Sequence, residues 1–180
     1  MSTAKYVLLD RDGVINHDSA DFIKSADEWL PIEGSLEAIA LLNQHDYQVV
    51  VITNQSGVGR GHYSDATLTE MHHKMIRMVE ALGGKISHIY YCPHLPDADC
   101  NCRKPKPGML EQFSKDAGVD LTDIYFVGDS LRDIEAAIAA GAKPLLVKTG
   151  NGTKTLATNP DLNIPTFENL YDAAEYILSS

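Results

Sequence analysis

Short apolar runs alternate along the chain with segments whose apolar residues recur every three or four positions. Tyr6-Val7-Leu8-Leu9 predicts a buried strand over residues 5–10. Leu36, Ile39, Ala40 and Leu42 fall on one face of a helix from Ser35 to about residue 45, and Tyr47-Gln48-Val49-Val50-Val51-Ile52 predicts the next strand. Ser64 can cap a helix carrying Leu68, Met71, Met75, Met78, Val79 and Leu82. A third strand is predicted over residues 85–91, followed by an irregular segment containing cysteine and histidine. Then come a helix over 108–117, the strand Ile124-Tyr125-Phe126-Val127, a helix over 131–140 and the strand Pro144-Leu145-Leu146-Val147. A closing helix is predicted over 170–178, and the polar stretch 151–165 predicts a loop.

Strands alternating with helices of this length imply an α/β fold with a central parallel sheet covered on both faces. Ligands in such sheets gather at the carboxyl ends of the strands. The chain shows no internal repeat, low-complexity tract or linker. The Met71, Met75 and Met78 spacing predicts core packing. His72-His73 sits mid-helix with successive side chains facing apart, a poor arrangement for a metal.

Composition changes this picture only at its edges. The 180 residues can bury a substantial core and predict a single domain over 1–180. A formal charge of −10 disfavours a broad nucleic-acid or membrane surface, so neither partner is expected. It does not exclude an anionic substrate, because a metal and a few local cations can reverse the field inside a cleft. No apolar run approaches the roughly 18 residues of a membrane span. Met1-Ser2-Thr3-Ala4-Lys5 is expected to lead directly into the first strand with no signal peptide. With only three cysteines and no export signal, a reducing, cytoplasmic location is expected, and the chain is expected to act as a monomer.

The predicted strand ends carry the chemistry. Asp10 and Asp12 follow the first strand, and their i, i+2 spacing points both carboxylates to one side. Two carboxylates so close repel unless a cation or a shared proton separates them. Gly13 allows a sharp exit. Thr53-Asn54 ends the second strand, Lys104 follows the third and its loop, and Gly128-Asp129 ends the fourth. Each alone reads as a turn or a solvated loop charge. Four on alternating strands point to one site.

Asp10-Arg11-Asp12-Gly13, Thr53-Asn54, Lys104-Pro105 and Gly128-Asp129-Ser130 with Asp133 resemble the haloacid dehalogenase (HAD) superfamily of phosphohydrolases. The resemblance implies a HAD-like, Rossmann-like three-layer sandwich. No insertion large enough for a separate cap follows the first strand or separates the third and fourth, which implies a member with no large cap domain. Phosphoryl transfer requires neutralised oxygens and in-line reactants. By resemblance, Asp10 is the nucleophile that forms an aspartyl-phosphate, and Asp12 is the general acid/base. Mg²⁺ suits a site of oxygen ligands from Asp10 and Asp129, to which the resemblance adds the backbone carbonyl of Asp12, with Ser130 and Asp133 as further candidates. Thr53 and Asn54 can bond the phosphoryl oxygens, and Lys104 supplies a fixed charge. Asp133 can orient a metal water or Lys104. Lys106 remains a competitor for the charge, although Lys104 precedes Pro-x-Pro as the superfamily's lysine does.

Cys92-Pro93-His94 and Cys100-Asn101-Cys102 gather all the cysteines and one histidine between residues 92 and 102. Three thiols and an imidazole form a closed tetrahedral set, the pattern of a structural Zn²⁺ site. The loop ends at Arg103-Lys104, so a metal there fixes two cations at the mouth of the site. The combination of Asp10 to Asn16, Thr53-Asn54-Gln55-Ser56-Gly57, Tyr91-Cys92-Pro93-His94 and Cys100 to Pro105 resembles the heptose-bisphosphate phosphatase family of the superfamily. That family acts in the heptose branch leading to ADP-heptose and the lipopolysaccharide core.

This resemblance implies a phosphorylated sugar as substrate. Its contacts are expected along residues 18–21, including Asp18 and Asp21, and along Thr53, Asn54, Gln55 and Ser56, with Arg103 on the distal phosphate. Ser19-Ala20-Asp21 lacks the family's Gly-aromatic pair and the 95–99 spacer is short; both departures fall on the substrate surface. Histidinol-phosphate phosphatases share the zinc loop and supply the alternative substrate. Arg103 favours a second phosphate over a cationic group. A non-catalytic binding domain of the same fold predicts loss of Asp10, Asp12 or Asp129, and all three are present.

Overall fold

The alternation of apolar runs becomes a single parallel sheet in the computed structural model, which describes residues 4–180. The expectation that residues 1–3 lead straight into the first strand lies outside the described residues. The strands are β1 (Lys5–Leu9), β2 (Tyr47–Asn54), β3 (Ile86–Cys92), β4 (Tyr125–Gly128), β5 (Lys143–Val147) and β6 (Thr166–Phe167). They lie in the order β3-β2-β1-β4-β5-β6. The helices are α1 (Ser35–Gln44), α2 (Asp65–Ala81), α3 (Gly108–Ala117), α4 (Leu131–Ala140), α5 (Gly152–Thr158) and α6 (Leu170–Ser179).

Strand alternation sends Val7, Leu9, Val49 and Val51 to one face and Leu8, Val50 and Ile52 to the other. The first face packs against Ile39 and Leu42 of α1, Met71 and Met75 of α2 and Ile177 of α6. The second packs against Leu110 and Phe113 of α3 and Ala136 and Ala137 of α4. Each large side chain so buried contributes about 1.5–3 kcal/mol, which drives the three-layer arrangement. The segments between β1 and α1 and between β3 and α3 hold only turns, bends and isolated bridges among the described residues, so no cap domain covers the sheet. No described helix is long and apolar enough to cross a membrane.

The chain runs outward from central β1 to β2 and β3, then returns to place β4 on the other side of β1. That reversal opens a crevice at the carboxyl ends of β1 and β4. Two features depart from the sequence expectation. The predicted loop over 151–165 contains α5, a polar helix whose Thr155 is buried and whose hydroxyl donates to the Asp129 carbonyl at 2.8 Å. It has no apolar face for periodicity to detect. β6 is only two residues long and is defined by its pairing of Thr166 with Leu146 and Phe167 with Val147. So short a strand carries no alternation.

Candidate active site

Parallel crossovers deliver the reactive residues to that crevice. Asp10 follows β1, Thr53 and Asn54 end β2, Lys104 lies beyond β3, and Asp129 follows β4. Asp10, Asp12, Asn54, Lys104 and Asp129 line a cleft of about 280 Å³. Asp133, Asp18, Gln55, Ser56 and Arg103 also line it, whereas Asp21 is exposed and outside its lining. Thr53 is buried, with its hydroxyl accepting from Gln55 Nε2 at 2.9 Å.

Lys104 is the electrostatic hub. Its side chain is 3% exposed, and the ammonium donates to Asp10 Oδ1 at 2.9 Å, Asp133 Oδ1 at 2.7 Å and the Ile52 carbonyl at 3.0 Å. Burial works to lower its pKa, but the charges of Asp10 and Asp133 outweigh it and hold the group well above its ordinary value. The competing Lys106 instead donates to the Cys100 carbonyl at 2.7 Å. Asn54 anchors the lysine's backbone at both ends of its amide: Oδ1 accepts from Lys104 N at 3.0 Å, and Nδ2 donates to Lys104 O at 3.1 Å. This anchoring role was not legible in the sequence.

Asp133 serves two neighbours at once. One oxygen takes the Lys104 bond, and the other accepts from Asp129 N, Ser130 N and Ser130 Oγ at 3.1, 3.2 and 2.9 Å. The bond from Ser130 N is one half of the capping box of α4. Gly128 has to lack a side chain, because a Cβ there would collide with Asp133.

Asp10, Asp129 and Asp133 bring carboxylate oxygens within 4.8 Å of one another. Burial, then the charge of Asp133, pushes Asp10 well above the ordinary carboxylate range despite Lys104. The same two causes push Asp129 up to about 7. Three crowded carboxylates with one ammonium leave negative charge uncompensated, and their donor atoms are all oxygen. The residues present therefore fit a hard divalent cation. Asn151, at the start of α5, donates its N–H to Asp129 Oδ2 at 2.8 Å and its amide to Asp18 Oδ2 at 3.1 Å. Gly13, at φ 85°, lies so close that a Cβ would strike Asp129 Oδ2.

The Asp12 carboxylate is held apart from this group. Its Oδ1 accepts from Arg11 Nε, Arg11 Nη2 and Asn16 Nδ2 at 3.0, 2.8 and 2.9 Å, and its Oδ2 accepts from Gln55 Nε2 at 2.9 Å. Burial works to raise its pKa, but the Arg11 charge and the bonds from Asn16, Arg11 and Gln55 outweigh it. In the free site it is a carboxylate.

Arg60, Arg103 and Arg132 add positive charge to the cleft lining. Burial, then the nearby Arg132, holds the Arg103 guanidinium below its ordinary value. Sequence reasoning found only Arg103. Arg60 and Arg132 were signalled by being basic residues embedded in the Thr53 and Asp129 segments.

Beside the cleft, Cys92, His94, Cys100 and Cys102 bring their ligand atoms within 4.8 Å of one another. His94 Nδ1 is 3.3 Å from Cys92 Sγ and 3.2 Å from Cys102 Sγ, and Cys92 and Cys100 sulfurs are 3.9 Å apart. The thiols are free, with no disulfide. Burial and then the Cys92 contact push Cys102 up to about 12. Soft donors in this number and proximity fit a tetrahedral zinc ion, which needs thiolates and removes that penalty.

Comparison with known proteins places this architecture among phosphatases. A family model described as HAD-hydrolase-like matches residues 101–173. A D-glycero-beta-D-manno-heptose-1,7-bisphosphate 7-phosphatase of Neisseria meningitidis serogroup A is 49% identical over 97% of this chain and 95% of its own length. One of the same name from Pseudomonas aeruginosa is 51% identical, covering 96% of this chain and 97% of its own. The crystal structure of D,D-heptose 1,7-bisphosphate phosphatase from B. bronchiseptica, complexed with magnesium and phosphate, superposes with a TM-score of 0.95. It is 50% identical and covers 97% of this chain and 98% of that one.

Proposed function

The chain belongs to the D-glycero-beta-D-manno-heptose-1,7-bisphosphate 7-phosphatase family, and from that premise we propose that it hydrolyses the 7-phosphate of the β-configured heptose bisphosphate at the Asp10 cleft. One observation carries the reading most directly. Asp10 sits at the end of β1 against Lys104 and beside Asp129, while the Asp12 carboxylate is turned to a separate set of donors.

Asp10 attacks phosphorus, and the bond between phosphorus and the sugar oxygen breaks with its electron pair on that oxygen. Asp12 supplies the proton the alcohol needs to leave. A phosphate group entering the cleft brings negative charge next to Asp12 and favours the protonated form this step uses. In the second step Asp12 takes a proton from water as the water attacks the aspartyl-phosphate. The phosphorus–Asp10 bond breaks, restoring the Asp10 carboxylate and releasing phosphate. Lys104 holds Asp10 in place and offers positive charge to the phosphoryl oxygens, while the buried Thr53 hydroxyl is joined through Gln55 to Asp12. Asp10 and Asp129, with the backbone carbonyl of Asp12, would hold Mg²⁺, which neutralises phosphoryl charge when bound. Ser130 and Asp133 are already engaged in the helix cap and the lysine bond, which supports a role behind the metal.

Arg103, with Arg60 and Arg132, supplies the positive field for the distal phosphate, and Asp18, Gln55 and Ser56 supply polar contacts to the sugar. Cys92, His94, Cys100 and Cys102 would hold Zn²⁺ and so fix the loop that presents Arg103 and Lys104. The same reading takes residues 1–180 as one domain acting as a monomer in a reducing, cytoplasmic setting, where thiols stay available as zinc ligands.

The test is phosphate release across both heptose bisphosphate anomers, histidinol phosphate and a 3′-phosphorylated oligonucleotide, with Asp10→Asn alongside. The β anomer is expected to turn over fastest and the variant to be inactive while folded. A preference for histidinol phosphate would overturn the substrate, and phosphate release by the variant would overturn the nucleophile.

A further inference from the structure

Two buried side chains given no part in the reaction, His72 and Tyr63, stand behind Asp12, each backing the partner of one of its oxygens. The Arg11 guanidinium is fully buried and gives Nε and Nη2 to Asp12 Oδ1. Its remaining terminal nitrogen, Nη1, meets His72 Nε2 at 3.2 Å and the sulfur of Met71 at 3.8 Å. A guanidinium nitrogen only donates, so Nη1 is the donor and His72 Nε2 must be the acceptor, with the ring neutral and its proton on Nδ1. On the other side, Gln55 Nε2 donates to Asp12 Oδ2 at 2.9 Å and to Thr53 Oγ1 at 2.9 Å. The buried Tyr63 hydroxyl donates to Gln55 Oε1 at 2.6 Å, which forces the amide's N–H edge toward Asp12. Gly57 makes room for this, because a Cβ there would collide with the Tyr63 ring.

The two oxygens of Asp12 are thereby made unequal. Oδ1 accepts three hydrogen bonds and is saturated, whereas Oδ2 accepts one from Gln55 and keeps capacity for a proton. We propose that His72 and Tyr63 are positioning residues for the general acid/base. His72, through Arg11, pins Oδ1, and Tyr63, through Gln55, aims Oδ2 as the oxygen that passes the proton to the leaving alcohol and later takes one from water. This rests on the reading of Asp12 as acid/base.

Side-chain placement of a general acid matters most when the leaving group needs its proton. The experiment therefore compares kcat/KM, which reports formation of the aspartyl-phosphate, for the heptose bisphosphate and for p-nitrophenyl phosphate. The nitrophenolate leaves without protonation. Tyr63→Phe removes one hydroxyl, His72→Leu removes the acceptor, and His72→Gln restores an acceptor near the Nε2 position. Tyr63→Phe and His72→Leu are each expected to lower kcat/KM on the sugar about ten-fold or more, chiefly through kcat, and to leave the aryl phosphate within about two-fold. His72→Gln should recover most of the loss.

Equal losses on both substrates, or none on either, would overturn the proposal. Asp12→Asn runs in parallel as the reference. If it too affects both substrates equally, the acid/base reading falls and the proposal with it. If Asp12→Asn is selective and the outer variants are not, only the positioning role falls. Circular dichroism and the melting curve identify a variant that fails to fold, and the Tyr63→Phe and His72→Gln pair then carries the comparison.

Discussion

Asp133→Asn isolates a side chain that ties the Lys104 ammonium to the start of α4. A carboxylate accepts on both oxygens, and Asp133 uses one for Lys104 and the other for Asp129 N, Ser130 N and Ser130 Oγ. An amide has one accepting oxygen only. Turned toward the helix cap, it presents N–H groups to the Lys104 ammonium and forfeits a charged hydrogen bond worth about 1.5–3 kcal/mol. Turned toward Lys104, it faces two backbone N–H groups with donors, at about 1–3 kcal/mol for the buried group and about 1 kcal/mol for the cap. The two orientations predict net losses of about 1.5–3 and about 2–4 kcal/mol respectively.

Relief of repulsion on Asp10 and Asp129 works against this loss. Urea denaturation should therefore be run with and without Mg²⁺, and the larger loss is expected with it, where the cation already neutralises that repulsion. Trp29, the chain's single tryptophan and fully buried, reports unfolding by fluorescence. A variant within about 1 kcal/mol of the parent in saturating Mg²⁺ would refute the argument that both oxygens are needed.

Two further outcomes follow from the same contacts. Purified protein should carry zinc at one ion per chain by elemental analysis; Cys102→Ser should abolish it and weaken turnover through Arg103 and Lys104, and a fully active, zinc-free preparation would contradict this. Burial, then the Arg11 charge, lowers His72 to about 3, so the folded state holds the neutral ring. A depressed folded pKa contributes stability that is present above the unfolded value near 6.5 and lost as pH falls toward 3. Relative to His72→Gln, the parent should lose up to about 1.4 kcal/mol of unfolding free energy per pH unit below 6.5, and parallel curves from pH 8 to 5 would show the ring is not so held.

Much of the molecule was legible in the chain because the signals are local. Apolar runs of strand length and helical spacing predict β1 to β5 and five of the helices, and the sheet they imply puts chemistry at strand ends. Asp10, Thr53 and Asp129 were found by standing directly after or within such runs, and the zinc set by its confinement to residues 92–102. α5 was missed because its stability comes from packing and from Thr155 and Asn151 bonding Asp129, not from an apolar stripe.

What only the tertiary structure decided is where each side chain ends once distant segments meet. Lys104 and Lys106 are equivalent by composition, yet a clamp from Asn54, fifty positions away, brings the first onto Asp10, and the second bonds the Cys100 carbonyl. Asp21 sits near Asp18 in sequence but not in the cleft lining. Arg11, His72, Gln55 and Tyr63 come from β1's exit, α2 and the segment between β2 and α2, and no periodicity links them. Sequence patterns select elements because burial acts on each segment's own apolar face. Hydrogen-bond partners are selected by the crossover geometry of the whole sheet, and that exists only in the folded chain.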